Sequence, residues 1–201
     1  MIAIIDYGMG NLRSVQKALE AVGHQAVITC DPDVVRRADK VILPGVGAFA
    51  DAAAELKRTG LGAAFVEAAR AGKPCLGVCL GLQLLFDESD EDGLHAGLAL
   101  LPGRVRKFAS AEGLKIPHMG WNSLRIVRDI PLLGGFKSGP SVYFVHSYYA
   151  SPTNPDHVIA EADYPGPFAA IVGRDNLVAC QFHPEKSQKA GLAIYANFAR
   201  A

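Results

Sequence analysis

The 201-residue sequence carries no surplus of charge of either sign, with 20 Lys and Arg set against 20 Asp and Glu. No basic face is advertised, which argues against a nucleic-acid partner. No uninterrupted apolar stretch approaches the roughly 20 residues that a membrane span requires. The N-terminus, Met1-Ile2-Ala3-Ile4-Ile5-Asp6, has no basic leader and goes straight into a strand pattern, so no signal peptide is read there. Cysteine is scarce. Cys30, Cys75, Cys79 and Cys180 are the four, and three residues separate the close pair. That is neither a disulfide framework nor the C-x-x-C spacing of redox and zinc sites. Aromatics are few as well, at 8%, while half the residues are apolar. Together these features predict a cytoplasmic protein of a reducing compartment, with one domain over residues 1–201 large enough to bury a full core.

What is present centres on Lys73 to Phe86. A short apolar run opened by Pro74 reads as a buried strand, and from Leu80 the pattern reads as the start of a buried helix. Cys79 stands at the junction, with Gly77 two residues before it and Gly81 two after. This is the spacing of a nucleophile elbow with cysteine in place of serine. So sharp a turn needs flanks without a Cβ. A thiol at a helix start is favoured as thiolate, and the Leu80 amide is placed to hold a developing oxyanion. The bland alternative is that Cys79 is a small core residue.

Leu177 to Phe182 reads as an apolar strand running into His183-Pro184-Glu185. Residues two apart in extended backbone project to one side, and Pro184 keeps His183 extended. Glu185 can then hold one imidazole nitrogen while the other serves a thiol as base. Alone, His183 would be a surface turn; beside Cys79 the catalytic reading prevails. Gly45 and Gly47, in Pro44-Gly45-Val46-Gly47 after a strand, leave bare amides that suggest a second oxyanion donor. Gly8-Met9-Gly10 followed by Asp31 has the look of a dinucleotide fingerprint, but Arg13 stands where the third glycine belongs.

Elsewhere the pattern alternates. Strands are expected at 1–6, 25–30, 40–43 and 74–78, and helices at 11–22, after 31, and at 48–58 and 61–71. Such βαβ units imply a parallel sheet with helices on both faces. From 87 to 150, short β-like runs at 103–108, 123–127 and 142–146 predict antiparallel additions to that sheet, with 87–96 as an acidic loop. Further strands at 157–163, 169–172 and 177–182 and a helix at 187–199 complete the chain.

Gly77-Val78-Cys79-Leu80-Gly81-Leu82-Gln83 with His183-Pro184-Glu185 resembles the class I glutamine amidotransferases. Within them, Asp6 to Leu12, Pro44 to Phe49, His118-Met119-Gly120-Trp121-Asn122 and Tyr143 to Tyr148 look like the glutaminase subunits of imidazole glycerol phosphate synthases. The resemblance implies a three-layer α/β/α sandwich, flavodoxin-like, with a mostly parallel central sheet and antiparallel additions. It implies that Cys79, His183 and Glu185 hydrolyse glutamine through a glutamyl thioester, with oxyanion donors from Leu80 and the Gly45-Val46-Gly47 loop. Gln83 and the chain at His146, Ser147 and Tyr148 would hold the glutamine. Ammonia would pass to a (β/α)₈-barrel cyclase subunit making imidazole glycerol phosphate and an aminoimidazole carboxamide ribonucleotide. Asn11, Trp121, Tyr143 and Lys186 would lie towards that partner. No cofactor or metal is implied. The rival readings are the glutaminase of another synthase, such as that of anthranilate, a stand-alone thiol hydrolase, and a binding module with a degenerate site.

Overall fold

A computed structural model of the chain describes residues 1–110, 113–136 and 139–201. The first half alternates strand and helix: β1 (Ile2–Ile5), α1 (Leu12–Ala21), β2 (Ala26–Thr29), α2 (Pro32–Arg37), β3 (Lys40–Gly45), α3 (Phe49–Thr59), α4 (Leu61–Arg70), β4 (Cys75–Cys79) and α5 (Leu80–Gln83). Then come β5 (Phe86–Ser89), β6 (His95–Ala96), β7 (Leu101–Lys107), β8 (His118–Ser123), β9 (Arg125–Ile126), β10 (Ser141–His146) and β11 (Tyr148–Pro152). The chain closes with β12 (Val158–Asp163), β13 (Pro167–Arg174), β14 (Leu177–Cys180) and α6 (Gln188–Arg200).

The central sheet has eight strands in the order β2-β1-β3-β4-β14-β13-β12-β9. The first five run parallel and the remaining three antiparallel. Period-two alternation divides its side chains between two cores. Ala3, Ile5, Val41 and Leu43 pack with Leu56, Leu61 and Phe65 of α3 and α4. Ile2, Ile4 and Ile42 pack with Leu19 of α1 and with Ile194 and Phe198 of α6. Each such aliphatic or phenyl side chain, once fully buried, stabilises the fold by roughly 1.5–3 kcal/mol. The result is the expected three-layer α/β/α sandwich. No described helix is long and apolar enough to cross a membrane.

Local signals set several boundaries. The Asp31 side chain accepts from the Asp33 amide and caps α2, with Pro32 in the first turn. Asn11 is the cap residue of α1, but its side chain takes the Ser14 hydroxyl rather than a helix amide.

Four sequence expectations are corrected. Strand β3 continues through Pro44 and Gly45 instead of breaking at Pro44. Its pairing with β1 ends at Ile42, so the missing proline N–H costs nothing on that side. The helix after Cys79 is a single turn. The Leu84 and Leu85 carbonyls are taken by the Leu98, Leu100 and Leu101 amides, which turn the chain into β5. Residues 87–96 are not a loop, since they carry most of β5 and all of β6. Finally, most of the strands between 86 and 152 do not extend the central sheet. They form a separate four-stranded sheet, β11-β7-β5-β6, and a two-stranded ribbon, β10-β8, and only β9 joins the main sheet. One face of the ribbon shows why: Met119 and Trp121 are 66% and 49% exposed, which a strand covered on both faces would not permit.

Candidate active site

The site sits at the carboxyl ends of three adjacent parallel strands, where open α/β sheets place their ligands. Register aligns Gly45 of β3 with Cys79 of β4, and Cys180 of β14 with Val78. The Pro44–Gly47 segment and the His183 segment therefore flank the thiol from opposite sides.

Cys79 adopts φ 55°, ψ −108°, a conformation that side-chain-bearing residues rarely take. Backbone packs directly on backbone around it. A Cβ on Gly77 would lie 2.8 Å from the Gly81 carbonyl oxygen and 2.9 Å from the Ala179 Cβ, and one on Gly81 would overlap the Leu43 carbonyl oxygen. The elbow glycines are thus required by space.

His183 and Glu185 meet as a buried pair: Nδ1 donates to Oε1 over 2.8 Å, with side chains 3% and 2% exposed. The other carboxylate oxygen accepts from the Tyr195 hydroxyl at 3.3 Å. His183 Nε2 is buried without a hydrogen-bond partner, leaving that nitrogen free to move a proton. Burial alone would lower the His183 pKa, but polar and charge interactions with Cys79 and Glu185 outweigh it and push it up to about 10. Around neutral pH His183 is therefore held as the imidazolium, beside the Cys79 sulfur. The main chain of Tyr143 grips the same histidine. The His183 amide donates to the Tyr143 carbonyl at 3.0 Å, and the Ser187 hydroxyl bridges the Tyr143 amide and the His183 carbonyl at 3.0 and 2.7 Å.

A cavity of about 340 Å³ opens over the thiol, lined by Val46, Gly47, Cys79, Leu80, Gln83, Glu91, Pro117, Val145, His146, Ser147, Tyr148 and His183. Most of the predicted site residues are brought together here. Gly45 is not in the lining; it lies behind, against the Tyr7 hydroxyl and 2.9 Å, by its notional Cβ, from Leu80. Gly47 takes φ +100°, open only to glycine-like backbone. Gln83 is buried, not a helix-surface residue, and donates to the Tyr148 carbonyl at 3.0 Å and to Gln181 Oε1 at 3.2 Å.

Outside the cavity, Trp121 meets Tyr143 edge-on with centroids 6.2 Å apart, and Lys186 Nζ stands 5.9 Å from the Tyr143 ring centroid. These three form one cluster.

Sequence reading missed several contributors. Glu91 lines the cavity and its carboxylate accepts from the Phe49 amide at 2.9 Å, so it ties the segment after Gly47 in place. Its acidic neighbours made it look like part of a solvated loop. Burial raises its pKa above the ordinary carboxylate value. Gln181, fully buried, sends Nε2 to within 3.8 Å of the Cys79 sulfur. A signal existed for it, because a lone amide in an apolar strand must find a partner. Tyr195 gave none, being indistinguishable from the other apolar residues of its helix face.

The model of the class-I glutamine amidotransferase family matches residues 3–201. Imidazole glycerol phosphate synthase subunit HisH of Syntrophotalea carbinolica is 55% identical over 203 residues, covering 98% of this chain and 98% of its own. The subunit of the same name from Rhodopirellula baltica is 50% identical over 201 residues, covering 100% and 98%. A crystal structure of a glutamine amidotransferase superposes with a TM-score of 0.78 at 17% identity, over the full length of both chains. The acivicin-bound glutaminase domain of Trypanosoma brucei CTPS does so at 0.67 and 17%, over 99% and 93%. At these identities the two structures speak for the fold alone. With the elbow cysteine, the buried His-Glu pair and likeness along the whole chain in hand, the chain belongs to the class-I glutamine amidotransferase family, in the branch of the HisH subunits.

Proposed function

We propose that this chain, as one amidotransferase unit over residues 1–201, is the glutaminase subunit of an imidazole glycerol phosphate synthase. The observation that carries the reading is the buried His183–Glu185 pair beside Cys79 on its strained elbow, at the floor of a cavity of about 340 Å³. The Cys79 thiolate attacks the side-chain carbonyl carbon of glutamine. The Leu80 amide and an amide of the Gly45–Gly47 segment hold the oxyanion. As the tetrahedral adduct collapses, His183 gives its Nε2 proton to the departing nitrogen, releasing ammonia and leaving a γ-glutamyl thioester. His183 then takes a proton from water, the hydroxide attacks the thioester, and glutamate leaves as the thiolate is restored. Glu185 keeps the ring oriented and stabilises its cationic form.

Gln83 and the chain at His146, Ser147 and Tyr148 hold the amino-acid end of the substrate. Glu91, the acidic side chain of the lining, suits the α-ammonium group. Ammonia then passes to a (β/α)₈-barrel cyclase subunit, which makes imidazole glycerol phosphate and an aminoimidazole carboxamide ribonucleotide. Trp121, Tyr143 and Lys186, with Asn11, face that partner, and exposed aromatics suit interface anchors. Because the Tyr143 main chain grips His183, docking there bears directly on the catalytic base. A thiol of this kind operates in a reducing compartment, which the cytoplasm supplies.

Hydrolysis without an acceptor would waste glutamine, so the oxyanion hole is completed only in the complex, by reorientation of a Gly45–Gly47 peptide. One oxyanion donor contributes roughly 10²–10³ in kcat. Glutamate release is therefore expected to rise by roughly that factor when the barrel subunit and its nucleotide ligand are added. Equal rates with and without the barrel would overturn the synthase assignment and favour a stand-alone thiol hydrolase.

A further inference from the structure

Behind the cavity the polar side chains form a chain in which every proton has one possible place. The Tyr148 carbonyl can only accept, and His146 Nδ1 lies 2.8 Å from it, so Nδ1 carries the hydrogen. Burial holds His146 neutral, its pKa lowered to about 3, and its Nε2 is then an acceptor. His118 Nδ1, 3.0 Å away, must donate to it. His118 is neutral for the same reason, lowered to about 4, which leaves its Nε2 to accept from the Asn122 amide at 3.3 Å. The Asn122 amide is itself fixed. Its Oδ1 accepts from the Ser123 amide at 2.8 Å, and Nδ2 also donates to the Asp163 carbonyl at 2.9 Å. The His118 ring is stacked on Tyr164 and Phe144 at centroid distances of 4.1 and 4.9 Å, which excludes water and strengthens its hydrogen bonds.

We infer that His118 is a positioning residue for the cavity: by donating to His146 Nε2 it holds, from the side opposite the Tyr148 carbonyl, the Nδ1–H ring that keeps that carbonyl, and with it Gln83, in place. The relay begins on the exposed ribbon, where His118 pairs with His146 and Trp121 with Tyr143, and reaches the substrate wall without touching substrate. Its consequence for binding rests on the proposed function; the tautomer assignment does not.

Nitrogen-resolved NMR of the full chain at neutral pH is expected to show His118 and His146 both as Nδ1–H tautomers. His118→Phe keeps the stacking and removes the donor, so His146 should stay Nδ1–H, held by the Tyr148 carbonyl, while its Nε2 loses its partner and that nitrogen resonance shifts. Glutamine binding, measured by calorimetry in a Cys79→Ser background, should weaken about tenfold, the effect of one buried hydrogen bond lost. His118→Asn, whose amide nitrogen can stand where Nδ1 stood, should restore both readouts, a rescue that a merely structural role would not give. An Nε2–H tautomer at His146 in the wild type, or wild-type glutamine affinity in His118→Phe, would overturn the inference. A Cys79→Ser protein that takes up no glutamine would instead overturn the functional reading, and the spectra would still decide the tautomer.

Discussion

Alanine in place of Cys79 is expected to cut glutamine hydrolysis in the assembled complex by roughly 10⁴–10⁶-fold, the scale on which loss of a nucleophile acts. The thiol is the one atom here placed to form the acyl bond, and Glu185 is engaged by His183 and Tyr195 instead. The Leu80 amide, the Gly47 backbone and the cavity would all survive the change, and alanine inherits the same strained φ of 55°. Folding should therefore be little altered, and the loss should fall on kcat. A spectroscopic companion is expected too. Cys79 is one of the two groups that hold His183 up to about 10, so without the sulfur the ring should titrate lower. Retention of a tenth of the wild-type rate would show that another group does the chemistry.

Gly81→Ala is expected to damage the fold severely. Gly81 does not have a left-handed φ, so conformational freedom is not what the position asks for. It asks for space: a Cβ would overlap the Leu43 carbonyl oxygen, and that oxygen belongs to the backbone of a central strand. Strand β3 is paired to both β1 and β4 and cannot give. Overpacking against backbone of this kind should cost roughly 3–5 kcal/mol, lowering Tm by about 10 °C in a chain of this size. Gly72→Ala is the informative control. Gly72 has φ +80° but open space around its notional Cβ, so only backbone strain is added, about 1 kcal/mol. Thermal unfolding of the two variants checks the distinction. Equal, small shifts would mean that the elbow is looser than its packing implies.

The elbow around Cys79 and the His183–Glu185 pair, to which the nucleophile and base roles are proposed, were legible because each lies in a local pattern. Gly77 and Gly81 bracket Cys79, and Pro184 holds His183 extended beside Glu185, so spacing alone conveys the chemistry. The alternation of strand and helix up to Cys79 was legible for the same reason, since apolar periodicity is local. Whatever depended on distant pairing was not. Whether β7 and β10 join the central sheet is decided by partners far along the chain, and the single-turn α5 goes no further because the Leu98, Leu100 and Leu101 amides claim the Leu84 and Leu85 carbonyls just beyond it. Glu91 entered the site through the path of β5 and β6, although its own neighbourhood reads as solvated. The directed arrangement of His118 and His146 needs the antiparallel register of β8 with β10, which no single segment encodes.

The most direct test of Cys79 as the glutamine-specific nucleophile is covalent trapping. The chain, with the proposed barrel partner, would be treated with an electrophilic glutamine analogue, and its peptides mapped by mass spectrometry. Cys30 is the exposed cysteine and serves as an internal control, since Cys75, Cys79 and Cys180 are buried. Labelling of Cys79 in equimolar amount, slowed by glutamine and with Cys30 unmodified, is the predicted result. Labelling that falls on Cys30, or that proceeds at Cys79 regardless of glutamine, would contradict it.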